Sequence, residues 1–214
     1  MTMRRLFHSA IVTTPTQYYV TTMTRPIEYR MRHLLRLHPD SRCSAAIRIE
    51  VGLARPRADS LELSYIVTGK MSDVRMPPVM AAVRGDDLWR HTCFEAFVRA
   101  SSGAEYYELN FAPSTQWAAY RFSSYRSGMC EADEISAPPI EVRASPNRYT
   151  LQALLELDRL SALPRTALWR LGLSALIEDT SGRKSYWALA HPPGKPDFHH
   201  GDCFAHEFSP AMQS

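Results

Sequence analysis

The sequence predicts an all-β fold, an antiparallel β-sandwich that is jelly-roll-like, with immunoglobulin-like layers and at most one or two short helical turns. Three observations carry that expectation. Apolar residues recur with period two in one run after another, which is the spacing of strands that turn one face to a core. Fifteen prolines and nine glycines are spread along the chain and cut it into short elements. The 214 residues are 45% hydrophobic and 22% charged, an ordinary globular mixture that fills one domain and leaves little room for a second.

The alternation begins near Ile47. Leu61, Leu63, Tyr65 and Val67 alternate with Glu62 and Ser64, the pattern of a half-buried strand. Residues 69–87 form a connection with Pro77 and Pro78 that ends in a Gly85-Asp86-Asp87 turn. A strand is expected over 88–99, with Phe94, Ala96 and Val98 on one face and Trp89, His91, Cys93, Glu95 and Phe97 on the other. Residues 105–111 and 116–122 read as a hairpin around Ala112-Pro113-Ser114-Thr115. Its first strand separates Tyr107, Leu109 and Phe111 from Tyr106, Glu108 and Asn110. Ser145-Pro146-Asn147 joins two more strands, the second presenting Tyr149, Leu151, Ala153, Leu155 and Leu157. Asp158 is placed to cap one helical turn over 158–163. Residues 168–178 alternate again and bury Trp169, Leu171, Leu173, Ala175 and Ile177. After a Thr180-Ser181-Gly182 turn, 185–191 and 203–208 complete a set of eight or nine strands.

The domain is expected to span 31–208, with 209–214 as a short tail. Residues 1–30 are expected to be a disordered or mis-annotated extension, with Met23 or Met31 as alternative starts. Arg4 and Arg5 open the chain, but His8, Ser9, Thr13, Thr14 and Pro15 interrupt the apolar run that a secretory signal needs. No stretch approaches the ~20 apolar residues of a membrane helix. The formal charge of +3 is small, its basic excess is scattered, and no nucleic-acid motif accompanies it. Nucleic acid and membrane are therefore not expected partners. Cys43, Cys93, Cys130 and Cys203 lack the paired spacing of zinc ligands and read as reduced thiols of a cytoplasmic protein. The chain has no GxSxG, phosphate-binding glycine loop or dinucleotide fingerprint, so neither an enzyme nor a cofactor is expected.

Four stretches carry a family resemblance. They are Leu88-Trp89-Arg90-His91-Thr92-Cys93-Phe94-Glu95-Ala96-Phe97, Tyr106-Tyr107-Glu108-Leu109-Asn110-Phe111-Ala112-Pro113, Gln116-Trp117-Ala118-Ala119-Tyr120-Arg121-Phe122, and Ser185-Tyr186-Trp187-Ala188-Leu189-Ala190-His191-Pro192 with the following Lys195-Pro196-Asp197-Phe198-His199. Together they resemble a bacterial DOMON-like domain, which is similar to the family 9 carbohydrate-binding modules. The resemblance implies a β-sandwich that binds a small ligand, with aromatic rings flanking a sugar and polar side chains holding its hydroxyls. It makes Trp89 and Trp187 the expected stacking pair, with Glu95 beside Trp89. Strand parity adds Glu108, Asn110 and Arg121 on one sheet face, and His191 completes the expected ligand-binding set. A carbohydrate or similar small polar ligand, bound without chemistry, is the function expected.

Other readings of the same residues stand beside it. Glu95 or Glu108 paired with Arg121 would also suit a solvated sheet face. Glu95 with Glu108 would formally make a glycosidase pair. His191, His199 and His200 with Asp197 and Asp202 would suit a metal, although their spacing matches no strand or helix ligand pair. Some members of the superfamily bind haem, which here would need a histidine and Met71, Met76 or Met129 facing one apolar pocket. A protein-interaction module without a small ligand is the last alternative.

Overall fold

A computed structural model describes residues 31–57, 59–157, 159–164 and 167–209. Its thirteen strands form two antiparallel sheets packed face to face, as the alternation predicts. The smaller sheet has the order β1-β3-β4-β10-β9, with β1 Met31–Leu34, β3 Ile47–Ala54, β4 Ser60–Gly69, β9 Ile140–Ser145 and β10 Arg148–Glu156. The larger has the order β2-β12-β11-β5-β6-β7-β8, with β13 also pairing β11. Here β2 is Arg36–Leu37, β5 Cys93–Ala100, β6 Tyr106–Phe111, β7 Trp117–Phe122, β8 Cys130–Glu131, β11 Trp169–Glu178, β12 Lys184–Ala188 and β13 His206–Phe208. The described residues hold only single 3-10 turns as helix, so none is long and apolar enough to cross a membrane.

The core lies between the sheets. Tyr65, Leu63 and Leu61 of β4 and Leu151, Leu155 of β10 meet Phe94, Leu109 and Leu173 of the larger sheet. Phe94 stacks with Tyr149 at 6.0 Å between ring centroids, and the Tyr65 hydroxyl donates across the sandwich to the Glu95 carbonyl at 2.6 Å. That bond satisfies the phenol where water cannot reach it. A second apolar cluster covers the opposite, outer face of the larger sheet, built on Cys93, Phe97, Tyr106, Ala118, Tyr120 and Phe122.

The larger sheet is thus buried on both faces, and several expectations change. The strand expected over 88–99 begins only at Cys93, because Asp87 takes a left-handed conformation (φ 57°) and Leu88–Arg90 forms a 3-10 turn. β4 is buried on both sides, with Glu62 and Ser64 at 2% and 1% exposure, instead of half-buried. β1, β2 and β8 add strands that the pattern does not reveal, being two to four residues long. Residues 159–163 form turns, and the Asp158 cap lies outside the described residues, as do 1–30 and 210–214. Ser209 alone represents the expected tail.

Candidate functional site

The outer face of the larger sheet holds a cavity of about 490 Å³, a size typical of small-ligand sites. Strand pairing sets its floor. Ser174, Glu95 and Asn110 lie in register across β11, β5 and β6, and Glu108 stands two residues from Asn110 on the same face. The next row towards the far end brings Phe97, Glu108 and Tyr120 together. Two carboxyl groups are thereby buried as diagonal neighbours, Glu95 at 3% and Glu108 at 6% exposure.

Each carboxyl group has a partner on the floor. Ser174 Oγ donates to Glu95 Oε2 at 3.3 Å, and Asn110 Nδ2 donates to Glu108 Oε1 at 2.8 Å. Burial, with the Glu108 charge adding to it, pushes the Glu95 carboxyl up to about 8. Burial raises Glu108 as well, while the Asn110 bond and the Arg126 charge oppose that rise. Glu95 is therefore mainly protonated at neutral pH, and the floor offers a carboxylic O–H donor beside the acceptor oxygens of Glu108 and Asn110.

The far end is closed by a loop folded back over the sheet. Asp197 accepts from Arg126 Nη2 at 2.7 Å and Nε at 3.2 Å, and also from the Tyr125 hydroxyl. His199 then sits over Phe97 and Phe122, with ring centroids 5.1 Å from each. Tyr106 Oη accepts the Arg126 amide at 3.2 Å and lies 2.8 Å from His199 Nδ1. The phenol proton is therefore assigned to Nδ1, which leaves the imidazole proton on Nε2, 3.6 Å from Glu108 Oε2. Burial, aided by the Arg126 guanidinium, holds His199 near 4, so it is neutral at physiological pH.

Aromatic rings and cations form the walls. Trp89 rises from its 3-10 turn edge-on to Tyr120, 5.8 Å between centroids, and Phe122, Tyr186 and Phe198 line other sides. Arg90, Arg126, Met129 and Lys184 are exposed at the lip. Arg90 pairs with Asp87 at 3.0 Å and Arg126 with Asp197, while Lys184 makes no ion pair with any described residue.

Four of the seven expected site residues come together here. Trp89, Glu95 and Glu108 line the cavity, and Asn110 underlies it through its bond to Glu108. The other three do not. Arg121 opposes Tyr107 and so projects on the core side of β7, where its guanidinium lies 3.9 Å from Glu134. It cannot pair with Glu95 or Glu108, and those two acids are buried, so the face is not a solvated one. Trp187 is a core residue at 8% exposure, its indole N–H donating to Ser185 Oγ at 3.0 Å. Its neighbour Tyr186 faces the cavity instead, since successive strand residues point to opposite sides. His191 lies outside the cavity lining, with Nε2 2.8 Å from the Arg36 carbonyl.

Sequence reading missed Phe122, Arg126, Lys184, Tyr186 and Phe198, and considered His199 only as a metal ligand. Among the described residues, no group of three His, Cys, Asp or Glu side chains is arranged to hold a metal. The Lys184 and Tyr186 signal was available as the parity opposite to Trp187.

No protein-family model matches the chain, and no curated protein sequence does. Solved structures do. A candidate carbohydrate-binding protein from Bacteroides uniformis is 12% identical, with a TM-score of 0.56, over 80% of this chain and 83% of that one. A family 9 carbohydrate-binding module from Caldicellulosiruptor kristjanssonii, in complex with glucose, is 12% identical with a TM-score of 0.47, over 84% and 86%. At this identity the likeness to the Bacteroides protein is one of fold.

Proposed function

We propose that the outer-face cavity binds a carbohydrate or similar small polyol, reversibly and without chemistry. The observation that carries the reading is the buried Glu95–Glu108–Asn110 floor walled by Trp89, Phe122, Tyr186 and Phe198. A sugar ring presents an apolar C–H face and a rim of hydroxyls, each both donor and acceptor. Indole and phenol rings pack against the first, and two carboxyl groups beside an amide serve the second. The fold shared with a candidate carbohydrate-binding protein supports the same ligand class.

Trp89 and Tyr186 are the stacking residues of this reading, in place of Trp89 and Trp187. The residues do not fit haem. His199 has Nδ1 engaged by Tyr106 and Nε2 over Glu108, Met71 and Met76 pack against the inter-sheet core, and Met129, which lines the cavity, is half-exposed at its lip. A floor with two carboxyl groups also opposes an apolar macrocycle.

The test is calorimetric titration of the full chain with soluble mono- and disaccharides, followed in parallel by tryptophan fluorescence. Of the four tryptophans only Trp89 lines the cavity, the other three being buried elsewhere. Saturable binding abolished by Trp89→Ala or Glu108→Gln, with folding retained, is the expected result. Binding that survives both substitutions, or no binding to any sugar, would overturn the reading.

A further inference from the structure

We propose that the cavity selects sugars carrying an anionic substituent, a carboxylate or a phosphate, with the ring hydroxyls on the acidic floor and the anion held at the lip by Lys184. This inference rests on the carbohydrate reading above and names the ligand class within it.

The charge layout of the cavity carries the argument. Acidic groups are deep and cationic groups are shallow. Glu95 and Glu108 lie on the floor, where an incoming anion would meet low polarisability and two acidic groups that give it no counter-charge. Hydroxyl donors suit that depth, and an anion does not. At the lip stand Arg90, Arg126 and Lys184, all exposed and all lining the same opening. Arg126 is committed to Asp197 and Arg90 to Asp87.

Lys184 differs because its natural partner is taken. It is the first residue of β12 and lies directly across from Glu178 of β11 in the strand register. An opposed Lys–Glu pair in a sheet would ordinarily neutralise itself. Here Glu178 is buried at 4% exposure and engaged by two other side chains, with Oε1 2.9 Å from Arg75 Nη1 and Oε2 2.7 Å from His91 Nδ1. Lys184 is left as a cation with no ion pair to any described residue, two residues from Tyr186 and on the same face. A ring stacked on Tyr186 thus brings an exocyclic anionic group to the ammonium, and an ammonium-bearing sugar would meet repulsion there.

The experiment titrates the full chain at low ionic strength and pH 7 with matched sugars. Glucose is compared with glucuronate, glucose 6-phosphate and glucosamine, and galactose with galacturonate. At least one anionic sugar should bind about tenfold more tightly than its neutral counterpart, the size of one charge-assisted contact. The advantage should shrink in high salt and vanish in Lys184→Gln. Lys184 is exposed, so an unaltered melting temperature verifies that the variant folds. Carboxylate-only or phosphate-only preference would sustain the proposal and name the group. Equal affinity for neutral and anionic sugars, tighter binding of glucosamine, or an anion preference that survives Lys184→Gln would overturn it alone. Failure of every sugar to bind would overturn it together with the carbohydrate reading.

Discussion

Tyr106 and His199 are joined by a hydrogen bond of 2.8 Å between the phenol Oη and the imidazole Nδ1, tying the 196–200 loop to the floor of the cavity. The same phenol accepts the Arg126 amide, so one buried hydroxyl organises both the loop and the turn that meets it. Around this bond the rings of Phe97, Phe122 and Phe204 pack edge-on or stacked, and the proton arrangement of the far wall follows from it.

Tyr106→Phe keeps the ring and removes the hydroxyl, leaving His199 Nδ1 and the Arg126 amide without partners. A loss of roughly 1–3 kcal/mol in unfolding free energy is expected, the cost of stranding buried polar groups. Urea denaturation of the two proteins measures it, and an unchanged midpoint would show that the bond does not order the loop.

His199 is held near 4, below its ordinary 6.5, first by burial; burial likewise lowers His33, His191 and His206. Their folded values lie below the unfolded one, so the unfolded chain takes up more protons as acidity increases. Stability is full above about pH 6.5 and falls as the pH drops towards 4. Melting curves at pH 7, 6 and 5 should show this decline, and His199→Gln should make it shallower.

Glu95 acts with the opposite sign. Its folded value of about 8 lies above the ordinary 4.5, so its stabilisation is present below 4.5 and is lost as the pH rises through 8. Glu95→Gln mimics the protonated form and never ionises. The variant should gain on the parent protein steadily between pH 5 and pH 8 and level off above that. A constant difference in melting temperature over that range would mean that Glu95 ionises normally.

Trp89 and Trp187 separate binding from folding. Trp187→Ala empties a core position and should cost ~3–5 kcal/mol of stability, as large-to-small core changes do. Trp89→Ala removes a half-buried ring at the cavity wall and should leave the melting temperature within a few degrees while abolishing the fluorescence response to sugar. The reverse pattern would place the ligand on the other side of the sheet.

The strand geometry beneath the candidate site was legible in the sequence. The hairpin of β6 and β7 fixes which of Tyr106, Tyr107, Glu108, Leu109 and Asn110 share a face, because strand alternation is a local property. Glu95 and Glu108 stood out as acids in apolar strands for the same reason. Arg121 misled because it lies towards the end of β7, where a core-side position reaches past the neighbouring sheet to solvent and Glu134, so its charge says nothing about the face. Trp187 was expected at the site through the family resemblance alone, and strand alternation turns it into the core with Tyr186 on the cavity side.

By itself, then, the sequence determined the period-two strands, the turns between them and the residues sharing each strand face, all of which follow from backbone geometry and near-neighbour chemistry. Only the tertiary structure decided which face meets the second sheet and which is roofed by the 196–200 loop. When both faces of β5 and β6 are buried, apolar contrast no longer marks inside from outside. It also decided that Glu178, claimed by Arg75 and His91 from distant parts of the chain, leaves Lys184 at the mouth of the cavity without an ion pair to any described residue, since contacts across about a hundred residues depend on how the sheets pack and on no local pattern.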